Sequence, residues 1–214
     1  MRADRTTSGP WPSLLLLGPT GSGKTPLGEE MERRGLEGRP CLHFDFGANL
    51  RRLAAGPDQI GLLKAADLAR IRFSLATGAL FEDLDMPMIV GILRSFVEAR
   101  GLRPGTLLVL NGLPRHVGQA QGLAGTVSVK RIVLLEAEAP VILERIRIDP
   151  GGDRSGRPDD SLGAVRKRLA DYGERTRPLL DHYGAQGVLM LKIGVTAAMT
   201  AAEMYGILAD EASA

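Results

Sequence analysis

The sequence predicts an α/β fold in which a five-stranded parallel β-sheet lies between two layers of helices. Amphipathic segments predict helices, most clearly over residues 24–34, 86–100 and 161–172. Short runs that are apolar on both faces are typical of buried parallel strands. The alternation of such runs with helical segments predicts the layered arrangement. The runs are SLLLLG (13–18), CLHFDF (41–46), TLLVLN (106–111), RIVLLE (131–136) and VLMLKI (188–193).

The composition excludes several classes of protein. Lys and Arg total 27 and Asp and Glu total 25, so the net charge of +2 argues against general binding to nucleic acid or membranes. Cys41 is the only cysteine, which excludes a disulfide framework and a multi-cysteine zinc site. The longest purely aliphatic run, Leu14–Leu17, is too short to span a membrane. We therefore expect a cytoplasmic protein with no nucleic-acid and no membrane partner.

Two intervals interrupt the regular alternation. We expect one domain over residues 13–214, preceded by a flexible polar lead-in at 1–12. Residues about 47–105 separate the second strand from the third, and their helical patterns predict a small helical lobe outside the sheet. Residues about 146–158 are rich in charge, glycine and proline, and they predict a mobile loop that closes over a ligand.

The first strand leads directly into GPTGSGKT, residues 18–25, and then into a predicted helix. This is the G-x-x-x-x-G-K-[ST] pattern in the strand–turn–helix context of a phosphate-binding loop (P-loop). The glycines let successive N–H groups face one point, and the helix adds the positive end of its dipole. Lys24 supplies a charge for the β- and γ-phosphates of ATP, and the Thr25 hydroxyl faces Mg²⁺. The predicted phosphate-binding residues are Gly18, Gly21, Ser22, Gly23, Lys24 and Thr25.

Arginine occurs at positions where lysine would serve a solvated surface equally well. Guanidinium groups offer a rigid pair of donors to phosphate oxygens. A phosphoryl-transfer site needs several of them, because two polyanions must be brought together. The candidates are Arg51, Arg115, Arg145, Arg157 and Arg168.

Several further segments resemble, in their order along the chain, those of adenylate kinases and related nucleoside monophosphate kinases. The resemblance covers nearly the whole chain from residue 13. It implies a P-loop NTPase three-layer sandwich with a helical acceptor-binding lobe and a short lid. It also implies reversible, Mg²⁺-dependent phosphoryl transfer from ATP to a nucleoside monophosphate, with AMP the default acceptor. The segments are GPTGSGKT, HFDFGANLR (43–51), GALF (78–81), NGLPRHVGQ (111–119), SGRPDDSLGAVRKRLADY (155–172) and TRPLLDHY (176–183).

On the acceptor side, the resemblance implies that Arg51 and Arg115 grip the phosphate of the monophosphate. Gln119 would contact the acceptor base, and Leu80 and Phe81 would form the walls of its pocket. These assignments predict where the second nucleotide binds.

On the donor side, the resemblance implies that Arg145 flanks the adenine of ATP and that Gly194 lies near the same base. Arg157 and Arg168 would clamp the transferring phosphoryl group. The residues assigned to catalysis are Lys24, Arg115, Arg157 and Arg168.

The chain departs from the family pattern at several positions. Asn111 stands where the family has Asp, and because an amide lacks the carboxylate charge we expect Mg²⁺, held by Thr25 and Asn111, to bind less tightly. Phe46 replaces a small residue and either stacks on the acceptor base or fills the lobe core. In the lid, Arg147 and Arg154 are both candidates to replace one family arginine.

Two alternative functions remain open at this point. One is a P-loop kinase for another small acceptor, since Thr directly after the P-loop Lys is more frequent in kinases of the shikimate type. The other is a nucleotide-binding regulator that kept the fold and lost turnover. Retention of Arg51, Arg115, Arg157 and Arg168 argues against the regulator.

Overall fold

The computed structural model describes residues 10–56, 63–152 and 162–213. It contains a five-stranded sheet in the order β2-β3-β1-β4-β5, in which all neighbouring strands are parallel. The predicted fold class is confirmed. The strands are β1 (Trp11–Leu17), β2 (Cys41–Asp45), β3 (Leu107–Asn111), β4 (Val127–Glu136) and β5 (Leu189–Gly194).

Two strands begin earlier than their apolar runs predict. Trp11 and Pro12 pair with Val127 and Ser128. This pairing extends both β1 and β4 at their N-terminal ends. Trp11 and Pro12 therefore belong to the sheet, and the prediction that the lead-in reaches residue 12 is wrong at this end. Backbone hydrogen bonds between strands can lengthen a strand beyond its hydrophobic run, and the periodicity of apolar residues does not reveal this extension.

Helices occupy the connections between the strands. None of those within the described ranges is long and apolar enough to cross a bilayer. A 3₁₀ turn covers Asp83–Asp85, and a π-helical turn covers Tyr172–Thr176. The α-helices are α1 (Lys24–Arg34), α2 (Phe46–Ala55), α3 (Ala65–Thr77), α4 (Met86–Arg100), α5 (Val117–Leu123), α6 (Ala139–Ile148), α7 (Leu162–Asp171), α8 (Leu179–Gly184) and α9 (Ala201–Ser213).

The sheet separates two hydrophobic cores. Side chains alternate between the faces of a strand, so Leu15 and Leu17 of β1 enter one core while Leu14 and Leu16 enter the other. The first core also takes residues from α2, α3, α4, α5 and α8, and the second takes residues from α1 and α9. Both faces are covered, as a sheet of apolar parallel strands requires.

The interval 47–105 is only partly outside the sheet. The ring of Phe96 in α4 packs edge-on against Phe44 of β2, with ring centroids 5.0 Å apart, so α4 belongs to the layer that covers the sheet. Ile71 of α3 is fully buried in the same core as Leu53 of α2. The boundaries of an acceptor lobe stay a prediction, and so do those of the lid, of which residues 153–158 lie outside the described ranges.

The carboxyl ends of three adjacent strands meet at one edge. Asn111 of β3 is paired with Asp45 of β2 on one side and with Leu16 of β1 on the other. In open α/β sheets, ligands bind in the crevice outside these strand ends. This register therefore brings Asp45 and Asn111 next to the loop that follows β1.

A buried histidine makes α1 sensitive to one added methyl group. A Cβ at Gly28 would lie 2.3 Å from Nε2 of His43, whose side chain is buried in β2. We expect Gly28→Ala to lower the free energy of unfolding by about 1–3 kcal/mol, because the ring has to move in a packed interior. Urea unfolding measures this.

The matched control is Gly91→Ala in α4, where an added Cβ meets no heavy atom within 4 Å. Because alanine favours the helical backbone over glycine, this variant is expected to be neutral or more stable by up to about 1 kcal/mol. Equal effects of the two substitutions would contradict the packing of His43 against α1.

Candidate active site

The P-loop begins where β1 ends and is shaped by its glycines. A Cβ at Gly18 would lie 2.7 Å from the carbonyl oxygen of Leu135, so only glycine fits there. Gly23 has φ 98° and is the N-cap of α1, whose first N–H groups lack intrahelical acceptors and face the loop. Ser22 is fully buried, and its Oγ has no hydrogen-bond partner among the described residues. The loop thus presents N–H and O–H groups that can donate hydrogen bonds to an anion.

The side chain of Lys24 lies across this loop. Its Nζ donates hydrogen bonds of 2.7 Å to the carbonyl oxygens of Gly18 and Pro19. The ammonium charge is therefore held at the mouth of the loop, where phosphate oxygens compete well for it because they are charged acceptors.

Three side chains from β2, β3 and α1 form a hydrogen-bonded group beside the P-loop. The Thr25 hydroxyl donates to Oδ2 of Asp45 at 2.6 Å. Nδ2 of Asn111 lies 3.0 Å from Thr25 Oγ1 and 3.1 Å from the same Asp45 oxygen. A role for Asp45 was not predicted from the sequence; an acidic residue at the carboxyl end of a strand was the signal that could have found it.

The orientation of Asn111 follows from its neighbours. An ionised carboxylate only accepts hydrogen bonds, so the NH₂ end of the amide must face Asp45. Nε2 of His43 lies 3.4 Å from the same nitrogen, and burial lowers the pKa of His43 below its ordinary value. A neutral His43 leaves the Asp45 charge uncompensated from that side.

These groups suit a hard cation. Hydroxyl and carboxylate oxygens are the ligands that Mg²⁺ prefers, and this ion usually completes its shell with water and substrate phosphates. Within the described ranges, no group of three or more His, Cys, Asp or Glu side chains could hold a metal by itself. Thr25 and Asp45 therefore fit a metal that arrives with a nucleotide.

A cleft of about 450 Å³ extends from the P-loop to α2, α3 and α7. Three arginines line it: Arg51 from α2, Arg115 after β3, and Arg168 from α7. Nη1 of Arg168 donates to Thr20 Oγ1 of the P-loop at 3.3 Å. The structure thus brings these predicted residues together, whereas Arg157 lies outside the described ranges.

Positive charge is concentrated around Arg115. Burial lowers the pKa of its guanidinium; Asp171 opposes this shift, and the neighbouring charge of Arg168 adds to it. The group stays protonated, because arginine is not deprotonated in proteins. An anion bound in the cleft would relieve this crowding of cations.

The predicted base pocket is lined by residues that already bond one another. Gln119 is 1% exposed; its Nε2 donates to the carbonyl oxygen of Phe81 at 2.9 Å, and its Oε1 accepts from the backbone N–H of Arg115 at 2.7 Å. His116 Nε2 lies 2.8 Å from the same Phe81 oxygen. Gln119 borders the cleft together with Leu80 and Phe81, and contact with a base stays a prediction.

Phe46 packs into the first core. It is 3% exposed, and its ring lies edge-on to Phe81 at 5.7 Å between centroids. The ring of Phe44 lies 6.1 Å away on another side. Of the two roles considered for Phe46, this geometry favours filling the core, although the residue is also among those that line the cleft.

Arg145 is buried and ties two loops together. It is 3% exposed; Nε donates to the carbonyl oxygen of Gly21, and Nη1 lies within 3.1 Å of the carbonyl oxygens of Thr196, Ala197 and Met199. It is not among the residues that line the cleft. Gly194 ends β5, is exposed and has open space around it. Contacts of Arg145 and Gly194 with the adenine of ATP stay predictions.

We expect Arg145→Lys to loosen the P-loop, because one ammonium cannot replace a guanidinium that reaches carbonyl oxygens of both loops. The free energy of unfolding should fall by about 1–3 kcal/mol, since buried acceptors lose their donors. Urea unfolding measures this loss of stability, and calorimetric titration with ATP measures the loss of affinity expected from a looser P-loop.

Arg33→Lys, in an exposed pair with Glu30 on α1, is the matched control and should change neither quantity measurably. Wild-type stability of Arg145→Lys would show that the tie between the loops is dispensable.

No family model matches the chain. It is similar, however, to adenylate kinases of several bacteria. It is 31% identical to the adenylate kinase of Xylella fastidiosa over 187 residues, which is 85% of this chain and 90% of that protein. It is 32% identical to those of Synechococcus sp. (83% and 87% covered) and Prochlorococcus marinus (82% and 86% covered). With this identity over most of both sequences, the chain belongs to the adenylate kinase family.

Proposed function

We propose that the protein catalyses reversible transfer of the γ-phosphoryl group of ATP to a nucleoside monophosphate, with AMP the default acceptor, forming nucleoside diphosphates. The observation that carries the proposal is one cleft in which a P-loop faces Arg51, Arg115 and Arg168. A regulator that only binds one nucleotide needs the P-loop but not a second set of cations. Family membership supports the same activity.

The donor phosphates would bind the P-loop. The N–H groups at the start of α1 and the Lys24 ammonium are placed to donate hydrogen bonds to phosphate oxygens. Arg145 holds the loop through the carbonyl oxygen of Gly21. Mg²⁺ bound together with ATP would supply positive charge that offsets the negative charge developing on the phosphates during transfer. Thr25 and Asn111 are the predicted residues on its side of the site.

The acceptor would supply the attacking oxygen from its own phosphate. A bond forms between that oxygen and the γ-phosphorus while the bond from the γ-phosphorus to the bridging oxygen of ATP breaks. The acceptor phosphate is largely dianionic near neutral pH, so no general base has to remove a proton. The work of the protein is to hold two polyanions in line and to stabilise the charge between them, which Arg51, Arg115 and Arg168 can do.

We further propose that the enzyme acts as a cytoplasmic monomer on free nucleotides, without nucleic-acid or membrane partners. The nearly balanced charge of the chain, +2 overall, supports the absence of nucleic-acid and membrane partners. Light scattering after size-exclusion chromatography measures the oligomeric state, and a mass of twice 22.9 kDa would contradict it.

The activity is tested by measuring ADP release from ATP and Mg²⁺ with AMP, CMP, UMP, GMP and dAMP in turn. Turnover that depends on one acceptor establishes the kinase and identifies its base. Absence of turnover with every acceptor, while ATP still binds, would support the nucleotide-binding regulator or a non-nucleotide acceptor instead.

We expect Arg51→Lys to lower kcat/KM for the acceptor by about 10–100-fold, because a point charge replaces a bidentate donor. ATP affinity should be unchanged, since Arg51 belongs to the acceptor side. Steady-state kinetics and calorimetric titration with ATP separate the two effects.

Arg52→Lys changes the adjacent exposed residue of α2 and serves as the matched control, with wild-type kinetics expected. Equal kcat/KM for Arg51→Lys and Arg52→Lys would remove Arg51 from the acceptor site.

A further inference from the structure

The metal side of the site contains a carboxylate, that of Asp45, for which the sequence predicted no role. We propose that Asp45 supplies the negative charge of the Mg²⁺ site and that Asn111 positions it, so that the carboxylate stands one strand away from position 111. This inference rests on the proposed binding of Mg²⁺ and ATP. It replaces the expectation that Mg²⁺ is held weakly because position 111 is an amide.

The first support is the contact between Asp45 and the P-loop. In P-loop phosphotransferases, the metal is held on one side by the P-loop Ser or Thr and by an Asp from a neighbouring strand. Here the corresponding hydroxyl, Thr25 Oγ1, donates to Asp45 Oδ2 at 2.6 Å. Asp45 is therefore the carboxylate that reaches the metal-facing hydroxyl, although β2 is separated from β1 by β3.

The second support is the sheet register. Asn111 lies between Leu16 and Asp45 across the parallel strands β1, β3 and β2. Its amide donates toward both Thr25 and Asp45, at 3.0 and 3.1 Å. The amide thus fills the space between the P-loop and the displaced carboxylate and orients that carboxylate toward Thr25.

The third support is that the pair Asp45 and Asn111 carries a single negative charge, on Asp45. A carboxylate at position 111 would place a second negative oxygen close to Asp45 Oδ2, where the Asn111 nitrogen now lies at 3.1 Å. Two carboxylates at this separation repel each other. The amide at position 111 therefore suits the acid at position 45. Asp45→Asn alone would remove the single negative charge, and Asn111→Asp alone would add a second one.

A fourth feature fixes the direction of the carboxylate. Oδ1 of Asp45 accepts the backbone N–H of Ala48 at 2.8 Å and caps α2, the helix that carries Arg51. The other oxygen is then directed at Thr25. Asn is also a good N-cap, so Asp45→Asn removes the charge while it keeps the cap.

The test measures how strongly Mg²⁺ increases the affinity for a non-hydrolysable ATP analogue. Calorimetric titration gives the dissociation constant in EDTA and again in saturating Mg²⁺. The ratio of the first constant to the second measures how much Mg²⁺ strengthens binding, and it requires no turnover. We expect Asp45→Asn to reduce this ratio by about 10–100-fold, the range seen when groups supporting a metal shell are changed. Binding in EDTA should be unchanged or tighter, because a negative charge near the phosphates has been removed.

Two further variants use the complementarity. Asn111→Asp alone should not raise the ratio above wild type, because the added charge faces Asp45. The double variant Asp45→Asn with Asn111→Asp should recover most of the wild-type ratio, because the number of charges is restored. Asp67→Asn, which changes the capping acid of α3, is the matched control and should leave the ratio unchanged.

A wild-type ratio in Asp45→Asn would overturn the inference, and so would an equal loss of affinity with and without Mg²⁺, since that indicates only a structural role. No effect of Mg²⁺ on analogue binding by the wild-type protein would overturn it as well. Failure of the proposed function is distinguishable, because it appears as absence of acceptor-dependent turnover while the wild-type ratio remains high.

Discussion

The hydrogen bonds that join Thr25, Asp45 and Asn111 are the constraint on which the site depends. They connect the first turn of α1 to the ends of β2 and β3, so the P-loop cannot shift without disturbing the edge of the sheet. Because Asp45 also caps α2, the same carboxylate links the phosphate-binding loop to the helix that carries Arg51. The proposed donor and acceptor sides are thereby linked by one partly buried polar group.

The opposite side of the P-loop is held by arginines that perform different tasks. Arg145 is buried and bonded to carbonyl oxygens of Gly21 and of the loop after β5, so its charge is used to join two backbone segments. Arg168 reaches Thr20 from α7 and borders the cleft. A rigid guanidinium suits both tasks, but only the one in the cleft is available to a phosphate.

The walls of the predicted acceptor pocket are built from apolar rings and a buried amide. Phe46 and Phe81 pack edge-on, and Gln119 connects the backbone of Phe81 to that of Arg115. The Gln119 amide therefore holds the backbone of Phe81 and that of Arg115 in a fixed relation. This arrangement gives the pocket its shape before any base enters it.

The sequence by itself determined the layered parallel fold, the P-loop and the three arginines that line the cleft. Those features depend on short-range patterns: apolar runs for strands, glycine spacing for the loop, and the positions of arginine in recognisable segments. The backbone pairing that extends β1 and β4 lies outside such patterns.

Only the tertiary structure decided that Asp45 contacts Thr25, that Arg145 is enclosed by carbonyl oxygens, and that Gln119 is bonded at both ends of its amide. Each of these contacts joins residues from separate strands, helices or loops. Their geometry is set by strand order and register, which place distant residues side by side, and a linear pattern of residue types does not contain that information.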